Sequence, residues 1–348
     1  TEPTVTDADV VLGYIAPDGY FGGNMPLNRD KAVDAIRTKI AEPLGVTVDE
    51  AAAMIRRIVE QNMASAIKRE VHLRGYHPSD FALFAFGGGG PTHVAGYRED
   101  VGSVVIFPQA PVFSALGSSV MDIMHVYEQS GRMQFMKPAT GEIVIDRDAF
   151  NGVVQRLVER ARIDLEAEGL GAHEAIFSVE LDMLYGGQVQ VKRVSSPLLT
   201  IESDEDAQTI YDAFEKEFSE AFSPYVVNKP GGVYLDGIVL KATVVTEKLE
   251  LPVLAVESPS PESALRAHRD AYWPERGERV TTPVYGFGGL RAGNVVEGPA
   301  IVEMEYSTIV VPPGQRLRID EHGLGLLETE TTTIPASATA AVMEGASS

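Results

Sequence analysis

The sequence predicts an α/β fold, and three observations carry that expectation. Six apolar residues, 81–86, run into four glycines, Gly87, Gly88, Gly89 and Gly90, and then into Pro91 and a helix-like stretch over 94–100. That order reads as a buried strand, a turn without side chains and a helix start. A β-rich segment follows at 103–107, so the two strands and the helix between them predict a right-handed parallel β-α-β crossover. Helical and strand-like patterns then alternate from 135 to 251, as in an α+β domain.

Taken in order, residues 1–28 are rich in Gly, Pro, Asp and Asn and read as loops and short strands, and a short helix is expected over 29–41. The clearest helix begins at Thr47, which forms a capping box with Glu50, and stops at Gly75. Val48, Ala52, Ile55, Val59, Ala66 and Ile67 recur at helical spacing. Asn62 falls in that stripe, where a buried amide needs a partner in the protein or in a ligand. Pro91 suits the first turn of the helix after the glycines.

Pro108 and Pro111 break the chain ahead of a second helix over 114–125, ending at His125. The character changes at Phe135: helices are expected at 146–168 and 204–222, and strands at 175–182, 189–194 and 232–245. From Pro252 a Pro/Ser/Glu-rich linker leads to short strands at 280–285, 300–303, 308–311 and 316–319. The expected domains are therefore 1–134, an α+β domain at 135–251, a small all-β domain at 252–330 and a flexible tail at 331–348.

Composition narrows the function. A chain of 348 residues with 44% hydrophobic content has room for two or three packed domains. The net charge of −21 argues against nucleic acid or an anionic membrane as a partner, because both demand a positive surface. With no cysteine there is no disulfide, thiolate nucleophile or thiolate metal site. No apolar run is long enough to span a bilayer and no signal peptide is visible, so a cytoplasmic location is expected. The chain begins at Thr1; a mature N-terminal threonine is a potential nucleophile, but Glu2-Pro3 lacks the look of the buried strand such a residue usually opens.

The glycines are the first candidate for chemistry. They are neither a Rossmann fingerprint nor a P-loop: Thr92 and Pro91 stand where those motifs need Gly and Lys. Four residues without Cβ let a flat ligand or another backbone lie against the main chain, and contact with a base or ribose suits them better than wrapping a triphosphate. A turn needed only for packing is the alternative reading.

Several segments together resemble the hydantoinase A / 5-oxoprolinase family, and within it the acetone and acetophenone carboxylase subunits. Thr4-Val-Thr6-Asp7-Ala-Asp9 is similar to the family's T-V-T-D-A-N/D, and Asn62-Met-Ala with Phe86-Gly-Gly-Gly-Gly-Pro-Thr-His93 to its N-M-A … F-G-G-A-G-P-x-H. Ser114-Ala-Leu-Gly117, Tyr185-Gly-Gly-Gln188, Thr282-Pro-Val-Tyr285 and Glu297-Gly-Pro-Ala-Ile-Val-Glu303 resemble further motifs in the family's order. Leu184, where many members have Arg, and Gly89, where they have Ala, point to the ketone carboxylase branch. The phosphate-binding motifs of the G-G-T type that members carry in an N-terminal half are absent.

The resemblance implies part of an actin/hexokinase-like ATPase lobe, with ATP and Mg²⁺ as cofactors. ATP would phosphorylate a ketone and bicarbonate in the carboxylase branch, or an amide oxygen in the hydantoinase/5-oxoprolinase branch. A third reading is a non-catalytic assembly subunit of a hetero-oligomer. Gly87, Gly88, Gly89 and Gly90 would meet adenosine, with Asn62 reaching ribose or base. Asp7 and Asp9 would orient metal-bound water and Thr6 or Thr4 would meet a phosphate oxygen, unless this is a loop held by Asx and Ser/Thr turns. His93, in the first turn of a helix, would be disfavoured as imidazolium; it would be available as a neutral donor to a ligand, or would serve only to pack the helix start. No His/Asp/Glu spacing resembles a transition-metal site, and the resemblance would place any such metal on a partner subunit; the implied partners are other carboxylase- or hydantoinase-type subunits or a missing N-terminal half.

Overall fold

The computed structural model describes residues 2–329 except 99, 172, 173 and 190, and the tail expected at 331–348, like Thr1, lies outside the described residues. The described chain divides into two compact units: residues up to 119 together with 250 onward, and residues 120–249.

The first unit opens with a helix where loops and strands were expected. Thr4 caps α1 (Val5–Leu12) and Asp7 closes a capping box on it; this local pairing outweighs the weak helix propensity of Val and Thr. Helix α2 (Arg29–Ile36) widens into a π turn at Arg37–Ala41 and ends in a last turn, α3 (Glu42–Leu44). The capping box at Thr47 and Glu50 starts α4 (Val48–Leu73), as expected. Strand β1 (Ala82–Phe84) is short and half exposed, at the edge of a sheet and not buried within it. It pairs in parallel with β2 (Ser103–Ile106) across α5 (Gly90–Tyr97), so the predicted β-α-β arrangement is present. Helix α6 (Phe113–Val120) is shorter than expected.

His125 lies not in that helix but in β3 (Ile123–Met136), where burial alternates along the strand. The second unit continues with α7 (Arg147–Ala167), β4 (Ile176–Tyr185), β5 (Lys192–Ser195), α8 (Asp204–Phe222) and β6 (Val233–Val244). Its sheet has the order β3-β6-β4-β5, every pairing antiparallel. Phe150 and Leu157 of α7 and Phe214 of α8 pack with Leu181 and Leu240 of the sheet in one core. Tyr185 closes that core against Phe214 and Phe218, and Gln188 donates to the Val226 carbonyl.

The chain then returns to the first unit through β7 (Leu265–Trp273), β8 (Glu278–Gly286), β9 (Val295–Glu297), β10 (Ala300–Glu303), β11 (Thr308–Val311), β12 (Gln315–Ile319) and β13 (Gly325–Thr329). These strands do not form a domain of their own. β13 pairs with β2, placing Leu326 opposite Val105, so the sheet begun at the glycine turn runs β1-β2-β13-β12-β9. A second sheet runs β11-β10-β8-β7. Val94 and Tyr97 of α5 share a core with Ile106, Val302, Ile309 and Leu327, which holds the glycine turn against both sheets. Trp273, fully buried, donates to Thr282 Oγ1 at 2.9 Å and packs on Tyr14 just beyond α1.

Among the described residues no helix is long and apolar enough to cross a membrane.

Candidate functional site

The most polar point in the interior of the first unit lies beneath the glycine turn. Along α4 the inward row passes through Ala52, Arg56, Glu60 and Ala64 at four-residue steps, and Asn62 stands exposed on the other side. Arg56 is only 7% exposed and Asp9, reaching it from α1, 2%. Arg56 Nη1 lies 2.6 Å from Asp9 Oδ1 and Arg56 Nε 2.8 Å from Glu60 Oε1. Its third contact is a hydrogen bond from Nη2 to the carbonyl of Thr92, and its guanidinium carbon sits 4.8 Å from the centroid of the Tyr14 ring. A planar fork satisfied on every side is what lets a guanidinium remain charged in such a place.

His93 completes the cluster from α5. Its Nε2 is 3.3 Å from Asp9 Oδ2 and its Nδ1 3.3 Å from Glu60 Oε1. Both ring nitrogens face carboxylate oxygens, an arrangement that favours the imidazolium, the form in which both nitrogens donate. Burial works against that charge more than any other single influence, but the hydrogen bonds to Asp9 and Glu60 together with the Asp9 charge outweigh it and raise the pKa. The helix dipole, expected to keep His93 neutral, is thus overridden by two carboxylates. With His93 protonated, two cations balance two anions.

This has a consequence for pH. The folded pKa exceeds the ordinary value of 6.5, so the folded state keeps a proton that the unfolded chain releases. The resulting stabilisation is complete below the unfolded pKa and is lost as pH rises through the folded one. Between acidic and mildly alkaline pH, the unfolding free energy of the parent is expected to fall more steeply than that of His93→Gln. Parallel slopes in urea titrations across that range would refute the assignment.

The network holds one wall of a cleft. Gly87 turns the chain at φ 78°, open to glycine, and donates to the Ala110 carbonyl at 2.7 Å. The Gly88 carbonyl accepts from Ser307 Oγ at 2.9 Å, and Thr92 Oγ1 donates to the Thr308 carbonyl at 2.9 Å. Gly89 caps α5, and the Gly90 carbonyl accepts from the Tyr97 hydroxyl at 3.1 Å. Gly88 and Thr92, with residues 303–308 and part of 15–23, line a cavity of about 700 Å³, a volume suited to a small ligand.

A family model described as Hydantoinase/oxoprolinase matches residues 1–127, and one described as Hydantoinase/oxoprolinase C-terminal domain matches residues 142–329. The chain belongs to the hydantoinase/oxoprolinase family. It is 62% identical to the acetophenone carboxylase gamma subunit of Aromatoleum aromaticum over 94% of this chain and 45% of that protein. It is also 30% identical to the acetone carboxylase beta subunit of Xanthobacter autotrophicus, over 92% of this chain and 45% of that one. Among solved structures, nucleotide-free acetone carboxylase matches with a TM-score of 0.79 at 28% identity, covering 94% of this chain and 46% of that chain. The ATP-dependent caprolactamase of Pseudomonas jessenii matches with a TM-score of 0.72 at 31% identity, covering 94% and 47%. The chain spans under half the length of these relatives.

In this family member, then, the expected site residues fall into three groups. Asp9, His93, Gly88 and the neighbouring glycines converge at one end of the first unit. Asp7 serves the capping box, accepting from Thr4 N and Oγ1 at 2.8 Å each, and Thr6 lies beside it in the first turn of α1. Asn62 is exposed on α4, away from the buried row in which it was expected. The sequence reading missed Arg56 and Glu60. Their signal was available: Ala52, Arg56 and Glu60 keep the spacing of a helix face as faithfully as the apolar stripe does.

Proposed function

We propose that this chain is the nucleotide-binding part of an ATP-dependent ketone carboxylase, cytoplasmic and assembled with other subunits, that activates ketone and bicarbonate by phosphorylation. The observation that carries the reading is the 62% identity to an acetophenone carboxylase subunit across nearly the whole chain. The site supports it in kind: a glycine-lined cleft backed by a charge-balanced network offers a rigid, pre-organised wall, which is what phosphoryl transfer asks of a protein. In this reading residues up to 119 belong to an actin/hexokinase-like lobe. Bicarbonate takes the γ-phosphoryl group of one ATP to give carboxyphosphate. The enolate oxygen of the ketone, once an α-proton has left, takes that of another to give an enol phosphate.

Within the chain, Gly87, Gly88, Gly89 and Gly90 would lie along the nucleoside, and Asp9 acts through Arg56 on the position of Thr92. Asp9 does not fit as a Mg²⁺ ligand, because its two oxygens are taken by Arg56 and His93, whereas Asp7 gives only Oδ2 to Thr4. Nor do the described residues gather three His, Asp or Glu side chains able to hold a metal. Mg²⁺ accompanying ATP would be carried chiefly by the phosphates and water.

The test is ATP hydrolysis by the full-length protein with its partner subunits. Hydrolysis dependent on an aryl ketone plus bicarbonate, and not on a cyclic amide, is expected. The 32% identity to the alpha subunit of a caprolactamase favours lactam hydrolysis as the second reading, and the reverse dependence would select it. An assembly whose hydrolysis survives removal of nucleotide binding from this chain would make it a structural subunit.

A further inference from the structure

We propose that the cleft between residues 15–23 and residues 303–308 receives a flat aromatic ring, with Tyr306 and Phe21 as the side chains that hold it. Tyr306 sits in the tight connection between β10 and β11, closed by a hydrogen bond from Met304 N to the Ser307 carbonyl at 2.9 Å. Phe21 comes from the loop between α1 and α2. The two rings meet edge to face, 5.2 Å between centroids and 64° between planes, the arrangement aromatic pairs favour. Yet neither is covered: Phe21 is 58% exposed and Tyr306 37%.

Phe21 also holds φ at 53°, which is uncommon for a bulky side chain. A phenylalanine kept in that backbone state and presented to water, where glycines stand on both sides of the next turn, is placed for a ligand and not for a core. Gly22, Gly23 and Gly88 lie beside the rings in the cleft and leave a planar group room to lie against main chain. Of the charges in the wall, Glu303 pairs with Arg269 at 2.5 Å and Glu305 raises the pKa of the Tyr306 hydroxyl beside it, while Arg266 also lines the cleft. The open apolar surface is aromatic.

Two rings share this chemistry, the adenine of ATP and the aryl group of a ketone; that choice, but not the ring site itself, rests on the carboxylase reading. The experiment is equilibrium binding of MgADP and of acetophenone to the full-length assembled protein, in the parent and in Tyr306→Leu, Phe21→Leu and Tyr306→Phe. Both positions are exposed, so folding should persist, and the fluorescence of the buried Trp273 checks it. For one of the two probes, Kd should rise about fivefold to tenfold in both leucine variants and stay within about twofold of the parent in Tyr306→Phe. The probe that responds identifies the ring. Unchanged binding of both probes in the leucine variants, or binding of neither probe to the parent, would overturn the proposal. Parent protein that binds a probe through these residues without ketone-dependent hydrolysis would leave the ring site standing and remove the carboxylase reading; normal hydrolysis with unchanged binding would do the opposite.

Discussion

Arg56→Met should destabilise the first unit by about 3–5 kcal/mol, the usual result of removing one partner from a buried ion pair. Methionine fills most of the space, so a cavity is not the cause. What remains are Asp9 and Glu60, two carboxylates out of water with only His93 between them, and a Thr92 carbonyl without its donor. The loss should be smaller in acid, where one carboxyl can take a proton, and should shrink again in Arg56→Met/Glu60→Gln, which removes a stranded charge. Because the chain has two compact units, amide hydrogen exchange is the cleaner measure. Protection should drop along α4 and α5 and hold along α7 and α8. A change under about 1 kcal/mol in α4 would mean that Arg56 is far better hydrated than its surroundings indicate.

Gly96→Ala is the second large effect, and its sign is the informative part. Propensity alone would have alanine stabilise a helix by about 1 kcal/mol over glycine. In α5, however, a Cβ at position 96 would overlap the Glu60 carboxylate, which is pinned by Arg56 at 2.8 Å and cannot swing aside without breaking the network. Overpacking of this kind runs to about 1–3 kcal/mol before the lost ion pairs are counted, so a net loss of roughly 2–4 kcal/mol is expected from the sum of these effects. Shortening the obstructing side chain should make the substitutions non-additive: Gly96→Ala should be close to harmless when added to Glu60→Ala. An alanine variant more stable than the parent would show that Glu60 is free to move and that Gly96 has no packing role.

Much of this architecture can be read from local chemistry. The Thr47/Glu50 box and the run of glycines ending in Pro91 each carry their own instruction, and the structure follows both. The failures share a cause as well. Thr4 and Asp7 form the same kind of box as Thr47 and Glu50, but surrounding glycines and prolines masked it. His125 follows the small-residue helical run 114–119 with no Gly or Pro between them to mark the helix end, and only the partner strand decides where it stops. The spacing of Asn62 matches the apolar stripe, which places it inside, and Arg56 is passed over when apolar residues alone are used to find the inward face. That rule fails wherever a charge meets its complement from another element, and Asp9 and His93 are distant in sequence from Arg56. The membership of β13 in the glycine-turn sheet is likewise a long-range matter that no window of sequence contains.

That last strand imposes an order on assembly. β2 is synthesised well ahead of its neighbour β13, some two hundred residues downstream, with the whole second unit made in between. The inserted unit is one uninterrupted segment and can fold as soon as it is synthesised, whereas the glycine-turn sheet must keep an open edge until Leu326 reaches Val105. Closing so long a loop is entropically slow. A stalled or shortened chain ending before residue 325 would therefore retain the inserted unit while leaving β2, paired only with β1, with one edge open, the kind of edge that recruits other chains or chaperones.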